Sequence, residues 1–360
     1  MLNKLFDAYL KVFLLGTMVF YVPGEFAYIP QEVFFQYGAI GFLFMSFFVP
    51  ARRKIYNWRL GLLLFYVLLS VLAIHNTAAA KYSLMNVLLG SIIIKTVAER
   101  VDLDFSGLGK FFTAFCILNI MQLSLQVMNI DPIYTMVNLQ NQTVIDHTGF
   151  LNSRFALASV AVLMLPFMYA ASPVYIIAAL PLLWFGKSSI CIGAAALAIL
   201  YLLWKEHRRA FWLLISAILI PAAVYIFFYD MPNGQFLKRF PVWLKGVEVL
   251  KLQPWFGTGL GNWATVGFVT VQENGQPETW VQAHNDILQW TFELGIGGMV
   301  LLWIWMRNLL ESVRRHVPLI ACLSLILVSF LHFPFHIARL AGIGCFVLAV
   351  MEAARADATN

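Results

Sequence analysis

Trp280-Val281-Gln282-Ala283-His284-Asn285-Asp286-Ile287-Leu288-Gln289-Trp290, then Glu293-Leu294-Gly295-Ile296-Gly297-Gly298, marks the junction of two unlike regions. Before it runs a long hydrophilic segment, roughly 230–283, and after it an apolar one, 287–306. A helix needs about 20 apolar residues to cross a bilayer, somewhat fewer with tilt and flanking residues. Working outward, comparable apolar runs occupy 5–22, 33–49, 60–75, 84–97, 111–129 and 155–171. Others lie at 174–186, 190–204, 211–229, 318–333 and 338–353. None shows the period-two alternation of a barrel strand, so the backbone is satisfied within helices. The expected fold is all-α and polytopic, with about 12 transmembrane helices. The weakest runs are 84–97 and 174–186, the latter short and containing Pro181; both are candidates for re-entrant segments. The chain divides into an N-terminal bundle of about nine spans (1–229), a long loop (230–285) and about three C-terminal spans (286–360).

Composition excludes a soluble globule. Charged residues make up 12% of the chain and hydrophobic ones 61%, against about 25% charged in ordinary soluble domains. The net charge of +6 therefore reads as topology bias, and no nucleic-acid partner is expected. Cys116, Cys191, Cys322 and Cys345 each sit inside an apolar run without CxxC spacing. They read as small buried hydrophobes, not as disulfides or metal ligands. Met1–Lys4 lead into a hydrophobic run with no small-residue cleavage site, so the first span is expected to stay as an anchor.

Basic residues orient the spans. With the N-terminus in the cytoplasm, sixteen of the 24 Lys and Arg fall on inside segments and eight outside. Both termini are then inside and the long loop outside. The outside set comprises Lys81, Arg154, Lys187, Lys238, Arg239, Lys245, Lys251 and Arg339. Snorkelling from a helix end explains Lys81. For the others, a cluster on one membrane face suits an anionic ligand equally well.

Inside the loop, Phe236, Phe240, Trp243, Leu244, Val247 and Leu250 recur at helical spacing. They predict a short amphipathic helix entered at Pro241, lying on the membrane surface or capping the bundle. Arg239 would sit just before it, turned towards the apolar side. Gly257, Gly259 and Gly261, at alternate positions after Pro254, predict a tight, closely packed turn. No strand precedes them, which argues against a nucleotide-binding loop. His332 and His336 have i,i+4 spacing, but Pro334 lies between them and no HExxH glutamate is present, so no zinc site is expected.

His284 enters a helix with Asp286, Gln289 and Glu293 further along. Imidazole can accept a proton near neutrality. Beside several cations, it suits attack by an acceptor hydroxyl on a substrate with an anionic leaving group. Two other readings stay open at this point. His284 could cap the helix, or the many spans with cations at their edges could belong to a secondary transporter of an organic anion. The polar cluster lies at a span end instead of the midplane and the two halves show no repeat, both of which favour an enzyme.

His284-Asn285, nine intervening residues, then Gly295 and Gly298 resemble the H-[NSQ]-x9-G-x-x-[GTY] motif of the O-antigen ligases. Arg239, Trp243, Pro254 and Gly257-Thr258-Gly259-Leu260-Gly261 resemble the same family's R-x3-W…P-x-x-G-x-G-x-G run. The motifs span roughly 235–298. The resemblance implies a GT-C-like membrane glycosyltransferase of the O-antigen ligase/polymerase superfamily. Such a protein would work without cofactor or metal on the periplasmic face of the bacterial inner membrane. Its donor would be a polyprenyl-diphosphate-linked glycan, as with undecaprenyl diphosphate. Its acceptor would be lipid A–core in lipopolysaccharide biosynthesis, or another lipid-linked chain. His284 would be the catalytic histidine and Arg239 the diphosphate contact, with Asn285, Trp243 and the three glycines in support. Arg154 and Lys187 are further candidate cations. Gly186-Lys187-Ser188-Ser189 departs from the family pattern, which carries an arginine there, and lysine supplies charge without a bidentate fork.

Overall fold

The computed structural model describes residues 2–19, 29–72, 77–130, 148–151, 153–206, 235–263, 269–271, 277–280, 282–313, 315–331 and 334–359. Helices α1 (Leu2–Val19), α2 (Ile29–Phe48), α3 (Trp58–Leu72), α4 (Thr77–Arg100) and α5 (Ser106–Val127) lead to α6 (Arg154–Ala171). A 3₁₀ segment (Pro173–Ala179) and α7 (Leu180–Gly186) follow, then α8 (Ser189–Glu206) and the loop helix α9 (Gln235–Leu250). After a short ribbon come α10 (Asp286–Ser312), α11 (His316–Leu331), a 3₁₀ turn (Pro334–His336) and α12 (Ala338–Thr359).

Among the described residues, four helices are long and apolar enough to cross a membrane: Ala80–Arg100, Ser106–Val127, Arg154–Ala171 and Asp286–Ser312. Shorter apolar helices cover Trp58–Val71, Pro173–Gly186, Cys191–Leu202 and His316–Phe330. The expected span at 84–97 lies within the first of these long helices. The run 174–186 is not one regular helix. Its 3₁₀ part gives way to α7 with Pro181 in the first turn, where a missing N–H costs least. The expected span at 211–229 lies outside the described residues.

The core forms around α6 and α12. Every residue from Ala156 to Met168 is buried, and so is nearly all of Leu340–Ala356. Ser153 starts α6, its side chain accepting a hydrogen bond from the Ala156 N–H at 3.3 Å, the usual way to satisfy a free first-turn donor. On the outside of the bundle, Tyr37, Phe44, Phe47, Phe65 and Trp184 are exposed. An apolar rim of this kind is what lipid tolerates and water does not.

The loop differs from expectation in two ways. Pro241 does not open α9 but lies inside it, so Arg239 is helical. Pro241 faces out, while Arg239, Val242 and Gly246 form the buried face. The apolar residues Phe240, Leu244 and Val247 are turned outwards. The loop also contains strands as well as a helix: β1 (Val269–Val271) pairs antiparallel with β2 (Pro277–Thr279), Thr270 opposite Glu278.

Candidate active site

The site is built on a break in α10. Gly295 has φ +68° and ψ −176°, so the helix stops and restarts there. A break strands backbone donors and acceptors, which must find partners elsewhere. The glycine run supplies them. Thr258 N–H donates to Phe292 O (3.0 Å) and Gly259 N–H to Glu293 O (2.8 Å). In return Ile296 N–H donates to Pro254 O (2.8 Å) and Gly297 N–H to Trp255 O (3.2 Å). From α3, the Tyr66 hydroxyl donates to Trp255 O and to Leu294 O, the second at 3.2 Å. Its ring stacks on Phe256 at 5.3 Å.

The approach is too close for any side chain. A Cβ on Gly257 would lie 2.3 Å from Phe292 O, and one on Gly295 would lie 2.2 Å from Trp255 O. Gly257, Gly259 and Gly261 all have positive φ, as a tight turn requires. The two sequence motifs are thus halves of one backbone joint.

A small core separate from that of the bundle seals the joint: Val242, Trp263, Ala283 and Phe292, with Val249 and Trp280 against them. Trp263 meets Phe292 edge-on at 5.0 Å and donates its indole N–H to Trp280 O at 3.1 Å. Gly246 makes room for this ring; a Cβ there would come within 3.2 Å of it. His284 stands at the edge of this core, its ring perpendicular to Trp280 at 5.3 Å. Its φ of +53° is left-handed, a conformation that costs a side-chain-bearing residue about 1–2 kcal/mol. Fixed neighbours hold it there. Trp243 donates its indole N–H to Ala283 O (2.7 Å), and Gln289 Oε1 accepts from Ala283 N–H (3.0 Å). On the other side, Asn285 caps α10, its side chain accepting from Leu288 N–H at 2.9 Å.

Burial, and then the charge of Arg239, push the His284 pKa down to about 4, so the imidazole is neutral at physiological pH. Arg239 itself is only 9% exposed, and burial lowers its pKa from the ordinary value. Further along, Asp286 is fully buried; it accepts from Phe335 N–H (3.0 Å) and pairs with His336 Nδ1 at 2.5 Å. Burial works against a charged His336, but Asp286 and Glu293 outweigh it and raise its pKa. This pair ties the start of α10 to the turn before α12. Next to it opens a cavity of about 370 Å³, lined by Trp290, Glu293 and His336 near the site and by apolar residues such as Leu63 and Val67 beyond.

The structure brings together His284, Asn285, Arg239, Trp243, Gly257, Gly259 and Gly261. Arg154 lies against the residue before Lys187: a Cβ on Gly186 would lie 2.9 Å from Arg154 O. Lys187 closes α7 in a left-handed conformation with its side chain exposed. His332 lies outside the described residues. Asp286–His336 and Tyr66 were not paired with the motif from sequence; their partners lie 50 and 189 residues away along the chain.

Residues 148–303 match the family model described as O-antigen ligase. The match supports the O-antigen ligase/polymerase superfamily. It runs from just before α6 through the glycine joint into α10, so it contains His284, Arg239 and the glycine run but not Tyr66 or His336. The superfamily suggests a multi-pass membrane protein that processes glycans. The chain matches none of the curated proteins compared with it.

Proposed function

We propose that this chain is a GT-C-like membrane glycosyltransferase of about 12 spans that moves a glycan from a polyprenyl diphosphate to an acceptor hydroxyl. The reaction takes place on the extracytoplasmic face of the inner membrane and needs no metal. The acceptor is lipid A–core or another lipid-linked chain. The observation that carries this reading is a neutral histidine beside a buried arginine, on the joint formed by both family motifs.

In the transfer, the imidazole of His284 takes the proton of the acceptor hydroxyl as its oxygen bonds to the anomeric carbon. The bond from that carbon to the diphosphate oxygen breaks, and the lipid diphosphate leaves with the electron pair. Arg239 meets the charge that develops on it. Arg154 and Lys187 supply further positive charge along the donor path, and the apolar cavity suits a lipid chain. The donor also tunes the base. Arg239 depresses the histidine, so an anion bound to Arg239 cancels part of that effect and raises the pKa of His284 when substrate is present.

The test replaces His284 with Ala in cells lacking the native gene. Membrane insertion should be normal, and transferred glycan should fall by at least about 100-fold. A normal glycan ladder from stably inserted protein would end the proposal. The same gel separates the two acceptors: loss of all core-attached glycan marks a ligase, and a single attached repeat marks a polymerase.

A further inference from the structure

Glu293 and Gln289 remain without a role in that chemistry, although both are almost fully buried on α10. Glu293 Oε2 accepts from Gly261 N–H (2.9 Å). Its Oε1 accepts from Trp263 N–H (3.4 Å) and from Gln289 Nε2 (3.1 Å). Gln289 spends its remaining acceptor on Ala283 N–H. A continuous chain of hydrogen bonds therefore runs from the glycine run, through a carboxylate and an amide, to the residue before His284. Carboxylate and amide are used in the only order that matches donors to acceptors: the carboxylate accepts at every bond, and the amide donates to it while accepting from the backbone.

We infer that Gln289 and Glu293 are positioning residues for His284, acting through the peptide groups of Ala283. The inference rests on the catalytic reading of His284. The peptide group joining Ala283 to His284 is the frame from which the φ of His284 is measured. Trp243 pins its carbonyl and Gln289 pins the preceding N–H, so the left-handed turn has no slack. Losing one pin lets the backbone relax towards a commoner φ, which swings the imidazole out of its niche beside Trp280 and Arg239. Displacement of a reacting group by about 1 Å costs on the order of 100-fold in rate. It also removes the burial and the arginine field that keep the histidine neutral.

Purified full-length Gln289→Leu tests this, assayed with polyprenyl-diphosphate-linked glycan extracted from the producing cells. We expect kcat to fall about 10- to 100-fold with donor KM changed less than about threefold. The acid limb of kcat/KM should move upwards from about pH 4 towards the ordinary histidine value. Gln289→Glu should be worse, because two carboxylates would face each other. Adding Glu293→Gln to it should recover at least about tenfold by restoring a donor–acceptor pair. Unchanged kcat and an unmoved acid limb in Gln289→Leu would overturn the inference. If Gln289→Leu does not fold, Trp243→Phe removes the other pin, and an unmoved acid limb there overturns it equally. His284→Ala is run alongside. If that variant stays active, the catalytic reading itself is lost; if it is dead while Gln289→Leu is normal, only the positioning role is lost.

Discussion

Two buried glutamates on neighbouring helices are satisfied in opposite ways. Glu352, on α12, lies at the far end of α10 from His284. It accepts from the side chains of Asn57, Trp305 (2.7 Å) and Arg355 (2.8 Å). Nearby, Arg53 pairs with Asp357 at 2.5 Å, and Arg100 donates to Val49 O and Ser46 O. That end is a lock: Arg355 on the same helix neutralises Glu352, Asn57 and Trp305 tie it to the segment before α3 and to α10, and Arg53–Asp357 adds a charge pair to α12. Glu293 takes its bonds from neutral N–H groups of a loop and one amide. Its bonds shape the backbone around a histidine. Similar burial thus serves cohesion at one end and geometry at the other.

Exchanging the roles of two arginines gives the largest expected effect. Arg239→Ala should cut glycan transfer by about 100- to 1,000-fold with little change in thermal stability. Arg355→Ala strands the buried carboxylate of Glu352 and should destabilise the fold by about 3–5 kcal/mol, while the folded fraction keeps its specific activity. Parallel activity assays and thermal melts check both; a similar profile for the two variants would erase the distinction. Gly257→Ala comes next. The methyl group has nowhere to go, so the joint must open, and transfer should drop about tenfold or more. Faster amide exchange should be confined to residues 254–259 and 292–297, with the lock end unaffected.

Smaller still are the pH effects. Activity expressed as kcat/KM should fall as pH drops through about 4, where free His284 becomes protonated. The limb for kcat should lie higher, because bound donor offsets the Arg239 field. Coincident limbs would mean that the diphosphate does not sit beside Arg239. Last comes His336. Its pKa is raised in the folded protein, so its pairing with Asp286 stabilises fully below the unfolded value of about 6.5 and fades as pH rises through the folded one. A melting temperature that declines slightly over that alkaline range in the parent, and not in His336→Phe, checks it.

The helices were legible wherever apolar runs were long. The runs at 155–171 and 111–129 became α6 and α5 within a few residues, with Ser153 as the cap. Proline misled once, because whether it opens a helix or lies inside one depends on the surrounding fold, which sequence does not carry. Pro241 therefore looked like a helix start, whereas the run marked as weak at Pro181 is a 3₁₀ segment followed by a short α-helix. At the site, His284, Arg239 and the glycines were picked out by motif spacing, and Arg239 also as a cation on the face the topology rule disfavours. The joint between Gly257 and Gly295 was not, since backbone pairing across 38 positions leaves no local pattern. The same holds for the ribbon at 269–271 and 277–279, too short for alternation to register.

The spacing between His284 and Gly295 has a mechanical meaning. The docked break at Gly295 fixes one end of a helical rod that begins at Asp286, and the histidine sits just past the other end. The rod is a ruler of about 1.5 Å per residue, and each residue also turns its far end by about 100°. A single insertion between Asn285 and Gly295 would lengthen the ruler only slightly, yet it would rotate the histidine roughly a quarter of a circle away from Arg239. The nine intervening residues record an angle more than a distance.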